Sequence, residues 1–171
     1  MASTTFRLRV WTRFLAPRAD VWVLKTDPRR LVEEFLPYAL FLSIDGGATV
    51  RGAREGLTGK TTGILLPPGL PWPIDLIRSE PERVYVDHSK NLLYSRFEHQ
   101  HLFEETPDGC RYIDDVIFQP ALPFRKLSAV LTERMFIHRH QVAARHLPVD
   151  VRTVGTSVLR VLIEEEREGG S

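Results

Sequence analysis

Residues 94–103 read YSRFEHQHLF. Along an extended strand, successive side chains point to opposite faces. Phe97, His99, His101 and Phe103 therefore share one face, and Arg96, Glu98, Gln100 and Glu104 share the other. A turn signal follows at Pro107-Asp108-Gly109. Residues 110–119 then form a second strand with Tyr112, Asp114, Val116 and Phe118 on one face. With both faces turned inward, an aspartate and two histidines stand inside a mostly apolar wall.

Before this hairpin the chain alternates again. Phe6, Leu8, Val10, Thr12 and Phe14 take one face of a strand over 5–14, and Arg7, Arg9, Trp11 and Arg13 take the wet one. Pro17 suits the first turn of a helix running to Lys25, with Val21, Trp22 and Leu24 as its apolar residues. Asp27 is an N-cap and Pro28 an N1 residue for a second short helix, which ends at Leu36-Pro37. Further strands are expected over 38–44, 60–66, 74–79 and 83–88, with a short strand and turn within 48–57. The segment PPGLPWP, 67–73, has four prolines in seven residues. Each removes a ladder donor, so it reads as a loop carrying Trp72, either a lid or a buried anchor. Residues 87–91 read as a turn.

After Gln119 comes a proline linker and then the longest helical pattern, 124–147. Phe124, Leu127, Leu131, Met135, His138 and Val142 recur at spacings of three and four and form one stripe, with Arg125, Glu133, Arg139 and His140 off it. Pro148 stops the helix. Residues 149–171 form an extension, in which 156–166 fits an amphipathic helix or an edge strand. The fold expected is α+β: a curved antiparallel sheet of six to seven strands gripping a long C-terminal helix, with two short helices after the first strand. One domain, 1–148, carries it. The helix covers the apolar face of the sheet, and the space between them is where a small apolar ligand would go.

Composition narrows the function. The chain has 171 residues, 43% hydrophobic and 26% charged, with a formal net charge of +1. That balance, with scattered basic residues, argues against a nucleic-acid partner. A single cysteine, Cys110, excludes an internal disulfide, and no helix N-terminus or basic cluster activates it. Arg7, Arg9 and Arg13 interrupt any apolar leader, and the late apolar run 158–163 is too short to span a bilayer. A cytoplasmic location without membrane insertion is expected. Gly59-Lys60-Thr61 lacks the upstream glycine of a phosphate loop, since Arg54 stands there, and a strand follows it, so nucleotide binding is rejected.

Several residues together resemble the START-like, helix-grip superfamily (SRPBCC), in particular its bacterial ligand-binding and polyketide cyclase/dehydrase-like members. Phe14-Leu15-Ala16-Pro17, Val21-Trp22 and Asp27-Pro28 resemble the opening strand and its two helices. Glu80-Pro81, Val84 to Asp87 and the His99-Gln100-His101-Leu102-Phe103 run resemble the His-x-His-x-Phe strand. Gly109, Asp114, Val116, Phe118 and Pro120 resemble the next strand, and Met135-Phe136 with Arg139-His140 resembles the long helix. The likeness covers residues 5–147. It implies a lipid-, polyketide- or aromatic-like ligand held between sheet and helix.

The residues expected to contact that ligand are His99, His101, Asp114, His138, Phe97, Tyr112, Phe118 and Trp72. Two other readings stay open: a cyclase- or dehydratase-type acid–base enzyme using an aspartate–histidine pair, and a protein-interaction module built on 149–171. His99 and His101 are metal-type ligands with Asp114 or His138 as a conceivable third. A polar cluster is the preferred reading, so neither a metal nor another cofactor is expected. A homodimer is compatible with the sequence. What separates binder from enzyme is whether these polar groups converge on open space or consume one another.

Overall fold

A computed structural model describes residues 5–44, 60–65, 69–121, 125–150 and 154–161. The architecture is α+β. In chain order it comprises β1 (Thr5–Phe14), α1 (Arg18–Thr26), α2 (Pro28–Phe35), β2 (Ala39–Ile44), β3 (Lys60–Leu65), β4 (Leu70–Glu80), β5 (Val84–Ser89), β6 (Tyr94–Thr106), β7 (Gly109–Pro120), α3 (Arg125–Ala143) and β8 (Gly155–Val161). The strands form one open, eight-stranded sheet in the order β2-β3-β4-β5-β6-β7-β1-β8, antiparallel at every pairing. The expected strand within 48–57 lies outside the described residues.

Local rules explain most boundaries. On β1 the alternation holds, with Leu8, Val10, Thr12 and Phe14 buried and the arginines between them half-exposed. The Asp27 side chain accepts from the Arg29 amide at 2.9 Å and so caps α2, with Pro28 at its first position. At the bend before β6, the Asn91 side chain accepts from the Leu93 and Tyr94 amides at 2.8 and 3.0 Å. The β6–β7 turn closes on Gly109, where an added Cβ would lie 2.1 Å from the Phe14 carbonyl oxygen. Only glycine admits that approach of the β1 end.

Three expectations are corrected. Residues 71–73 are not loop: β4 begins at Leu70, and Trp72 is a buried core residue opposite Gly63. The prolines are tolerated because β5 pairs with β4 only from Ile74 onward. Along Pro71–Pro73 one edge of the strand carries no described ladder that missing donors would break. Asp87 does not open a turn but lies inside β5, buried opposite His99. The inward face of α3 is also rotated from the expected stripe. Ser128, Thr132, Met135, Phe136, Arg139, His140, Val142 and Ala143 are buried, whereas Leu127 is 58% exposed. Hydropathy misplaced that face because its polar members have buried partners, described below.

α3 packs against α2, β1 and β7. After it the chain returns to β1 through a Phe14–Val149 bridge and an Asp150 amide donating to the Arg13 carbonyl at 3.0 Å. β8 then pairs along β1 as the edge strand, one of the two conformations its sequence allowed. It depends on Gly155, because a Cβ there would meet the Trp11 indole at 2.1 Å. Gly155→Ala is expected to cost about 1–3 kcal/mol. Hydrogen exchange should quicken along β8 and β1 while β6 and β7 keep their protection.

Candidate functional site

The interior is divided. One apolar cluster gathers Phe35, Trp72, Tyr94, Phe97, Phe118 and Phe136 with Leu8, Val10, Val116 and Met135. A second gathers Phe14, Val21, Trp22, Tyr85, Phe103 and Tyr112. Between them the inward rows of the strands turn polar. On β6 the row runs Phe97, His99, His101, Phe103, and on β7 it runs Tyr112, Asp114, Val116, Phe118. β1 contributes Thr12 between Val10 and Phe14, and β5 contributes Asp87. The helices add Lys25 from α1, Glu34 from α2, and Arg139 and His140 from α3.

These groups consume one another. Asp114, with no exposed surface, meets His99 Nε2 at 2.9 Å, His101 Nδ1 at 3.2 Å, His140 Nε2 at 3.1 Å and Arg139 Nη1 at 3.5 Å. The Tyr112 hydroxyl also donates to it. Arg139 donates through Nε to Glu34 Oε2 at 2.7 Å, and the Lys25 ammonium donates to the same oxygen at 2.6 Å. His140 Nδ1 lies 2.8 Å from the Thr12 hydroxyl. Asp87 Oδ2 lies 3.0 Å from His101 Nε2 and 3.3 Å from His99 Nδ1. Among the described residues, two buried polar atoms of the layer have no hydrogen-bond partner: Glu34 Oε1, and Arg139 Nη1, whose 3.5 Å approach to Asp114 is an ion pair only. Buried groups of this kind are normally satisfied by water or a ligand.

Burial and charge set the protonation. Burial alone would raise the Asp114 carboxyl, but Arg139, His99 and the hydrogen bonds from His101 and His140 hold it well below the usual carboxylate range. Asp87 is likewise lowered against its burial, by His99 and His101. Burial opposes a charge on His99, yet Asp87 and Asp114 on either side raise it. Its neighbour His101 falls to about 3 through burial and through the His99 charge. Burial lowers His140 as well. Lys25 is brought down to about 8 by burial and by Arg139, with Glu34 opposing. The layer thus holds cations at Lys25, Arg139 and His99 against carboxylates at Glu34, Asp87 and Asp114. Glu34→Gln removes one of those charges and is expected to cost about 1–3 kcal/mol in urea unfolding, with the unfolding slope unchanged.

Of the expected site residues, His99, His101, Tyr112 and Asp114 meet in this layer. Phe97, Phe118 and Trp72 line the first apolar cluster beside it. His138 does not join them: it is half-buried, with its ring edge-on to Tyr38 at 5.5 Å. The sequence reading missed Lys25, Glu34, Asp87, Arg139 and His140. For the four helical residues the available signal was charge on helices that otherwise face a core; for Asp87 it was a lone carboxylate inside the β5 pattern. Cys110 is buried, and burial pushes its thiol up to about 12, in keeping with an inert residue.

The chain belongs to the family described as a domain of unknown function, DUF8410, whose model matches residues 12–147. No curated protein matches it in sequence. Solved structures share its fold. TTHA0849 from Thermus thermophilus is 14% identical with a TM-score of 0.60, over 81% of this chain and 94% of that one. Norcoclaurine synthase from Thalictrum flavum, solved with dopamine and hydroxybenzaldehyde, is 13% identical with a TM-score of 0.60, over 84% and 87%. The di-domain ARO/CYC StfQ of the steffimycin biosynthetic pathway is 9% identical with a TM-score of 0.64, over 84% of this chain and 51% of that one. The fold is the helix-grip, SRPBCC-type fold that the sequence resembles. Among the described residues no helix is long and apolar enough to cross a membrane.

Proposed function

We propose that this member of the family binds a small hydrophobic molecule, lipid-, polyketide- or aromatic-like, between the sheet and α3. The observation carrying this is the asymmetry of the interior. An aromatic-rich cluster built on Trp72, Phe97, Phe118 and Phe136 ends on a polar layer in which, among the described residues, Glu34 Oε1 has no hydrogen-bond partner and Arg139 Nη1 has only its 3.5 Å ion pair with Asp114. A ligand's apolar body would gain about 25 cal/mol per Å² buried against such a wall. Its polar end would be oriented by the layer. Fold neighbours that handle small aromatic molecules, such as the synthase solved with dopamine and hydroxybenzaldehyde, support the same reading.

The acid–base alternative has one observation in its favour. His99 and His101 stand side by side, with ring centroids 3.7 Å apart, and their protonation is pushed in opposite directions. That separation can yield an acid and a base at one site. The binding reading is preferred because Asp114, the natural orienting base, is already engaged by Arg139, three histidines and Tyr112.

The test is a titration of the folded chain with anilinonaphthalene sulfonate, followed by displacement with fatty acids and polycyclic aromatics. Saturable one-to-one enhancement that a hydrophobic competitor reverses supports the proposal. Enhancement only under conditions that also abolish the near-ultraviolet circular dichroism counts against it, because a loosened core binds such dyes without a site.

A further inference from the structure

Inside the polar layer, β5, β6 and β7 build a closed square of side chains. Asp87 stands across from His99, and Asp114 across from His101. Each imidazole spans both carboxylates: His99 reaches Asp87 through Nδ1 and Asp114 through Nε2, and His101 reaches Asp87 through Nε2 and Asp114 through Nδ1. The two halves differ in kind. The Asp114 half is closed by Arg139 and His140. On the Asp87 half a single carboxylate oxygen meets two imidazole nitrogens, and the Asp87 side chain keeps 12% of its surface exposed.

The geometry points to Asp87 Oδ2, His99 Nδ1 and His101 Nε2 as a binding site for a divalent transition-metal ion of the zinc type. Zinc bonds of about 2.0–2.2 Å place neighbouring donors of a tetrahedral site about 3.3 Å apart. The oxygen lies 3.3 and 3.0 Å from the two nitrogens, and all three donors fall within 4.8 Å of one another. Two imidazoles and one carboxylate suit zinc or ferrous iron, whereas magnesium and calcium prefer all-oxygen sites. Three protein ligands leave a position for water or a substrate atom.

The surroundings match what such a site needs. The far nitrogen of each histidine faces Asp114, the carboxylate–histidine–metal arrangement that fixes a ligand's tautomer and raises its basicity. Both rings are also held in place. Tyr85 stacks on His101 with centroids 3.5 Å apart, and Phe136 meets His99 edge-on at 4.8 Å. To hold the ion each imidazole is neutral, with its one hydrogen on the nitrogen that faces Asp114 and its lone pair on the nitrogen that faces Asp87; a proton in excess of that leaves to solvent as the ion binds. The sequence reading weighed Asp114 or His138 as a third ligand. Asp114 instead stands behind the histidines, and His138 lies outside the layer. The proposal does not depend on an organic ligand.

The full chain, stripped with a chelator and dialysed, is titrated with Co²⁺ and then Zn²⁺. One Co²⁺ per chain should bind and give the visible absorption of a four- or five-coordinate ion, bleached by one equivalent of Zn²⁺. In Asp87→Asn affinity should fall by at least about a hundredfold, the upper end of what losing even an outer-shell partner costs. In His88→Ala, at an exposed position of β5, it should not change. Folded wild-type protein with no saturable cobalt band overturns the proposal, as does a band of equal affinity in folded Asp87→Asn. Should Asp87→Asn not fold, X-ray absorption of the zinc-loaded wild type decides. Two imidazoles in the metal shell support the site, and fewer than two refute it.

Discussion

Asp114→Ala is expected to destabilise the protein by roughly 3–5 kcal/mol, the cost of stripping the partner from buried charges. The residue it abandons is Arg139, which has no exposed surface and whose remaining carboxylate partner, Glu34, is shared with Lys25. His99 and His140 lose the same oxygens. A domain of this size has little stability beyond such an amount, so much of the variant should be unfolded or insoluble at body temperature. The neighbouring residue is the control. Asp115 points to the other face of β7 and pairs with Arg7 and Arg9, whose side chains are about 40% exposed. Asp115 is itself only 4% exposed, but its removal leaves two arginines that water reaches, so Asp115→Ala should cost less, roughly 1.5–3 kcal/mol, the worth of a hydrogen bond to a charged group. Denaturation midpoints for the two variants, measured side by side, check this. Equal losses would mean that the interior layer carries no special weight.

Stability should also fall steeply as pH drops below about 6.5. His101 and His140 are held neutral in the folded chain and regain an ordinary affinity for protons on unfolding. Below pH 6.5 the unfolded state therefore binds more protons than the folded one, and stability declines as pH falls. Each group contributes up to about 1.4 kcal/mol per pH unit. His99 has the opposite sign. Its raised value means that its contribution is fully present below pH 6.5 and is lost as pH rises through its folded value. Below pH 6.5 His99 therefore adds no slope, and nothing from it offsets the loss that His101 and His140 cause on acidification. Below about pH 4 the depressed Asp87 and Asp114 deepen it, because their contribution disappears as pH falls through their folded values. Urea midpoints of the chelated protein between pH 8 and pH 4.5 measure the slope, and His140→Gln should remove part of it. A flat profile would show that the histidines are not held neutral.

The parts of the fold that sequence could reveal are those governed by local rules. The alternation of β1, β6 and β7 follows from one wet face and one dry face, and the Asp27-Pro28 start of α2 follows from cap chemistry. His99, His101, Tyr112 and Asp114 were legible because a strand's period places them on the dry face whatever they pair with. The helical half of the layer was not. Hydropathy measures the cost of leaving water and is silent on a partner that offsets it. Arg139 is buried because Glu34, 105 positions away, accepts from it. Nothing near position 139 encodes that pairing. Asp87 was hidden similarly, since its neighbours His88, Ser89 and Lys90 read as a turn while its partners lie on β6. The strand placement of Trp72 was lost to a rule about prolines that holds for central ladders but not where, among the described residues, one edge of the strand carries none.

The most direct test of a hydrophobic ligand is native mass spectrometry of the full chain, as purified and after incubation with fatty acids and polycyclic aromatics, with denaturing spectra as reference. The account predicts an added organic mass at one per chain that disappears on denaturation. A chain that shows only its own mass after every incubation would contradict it.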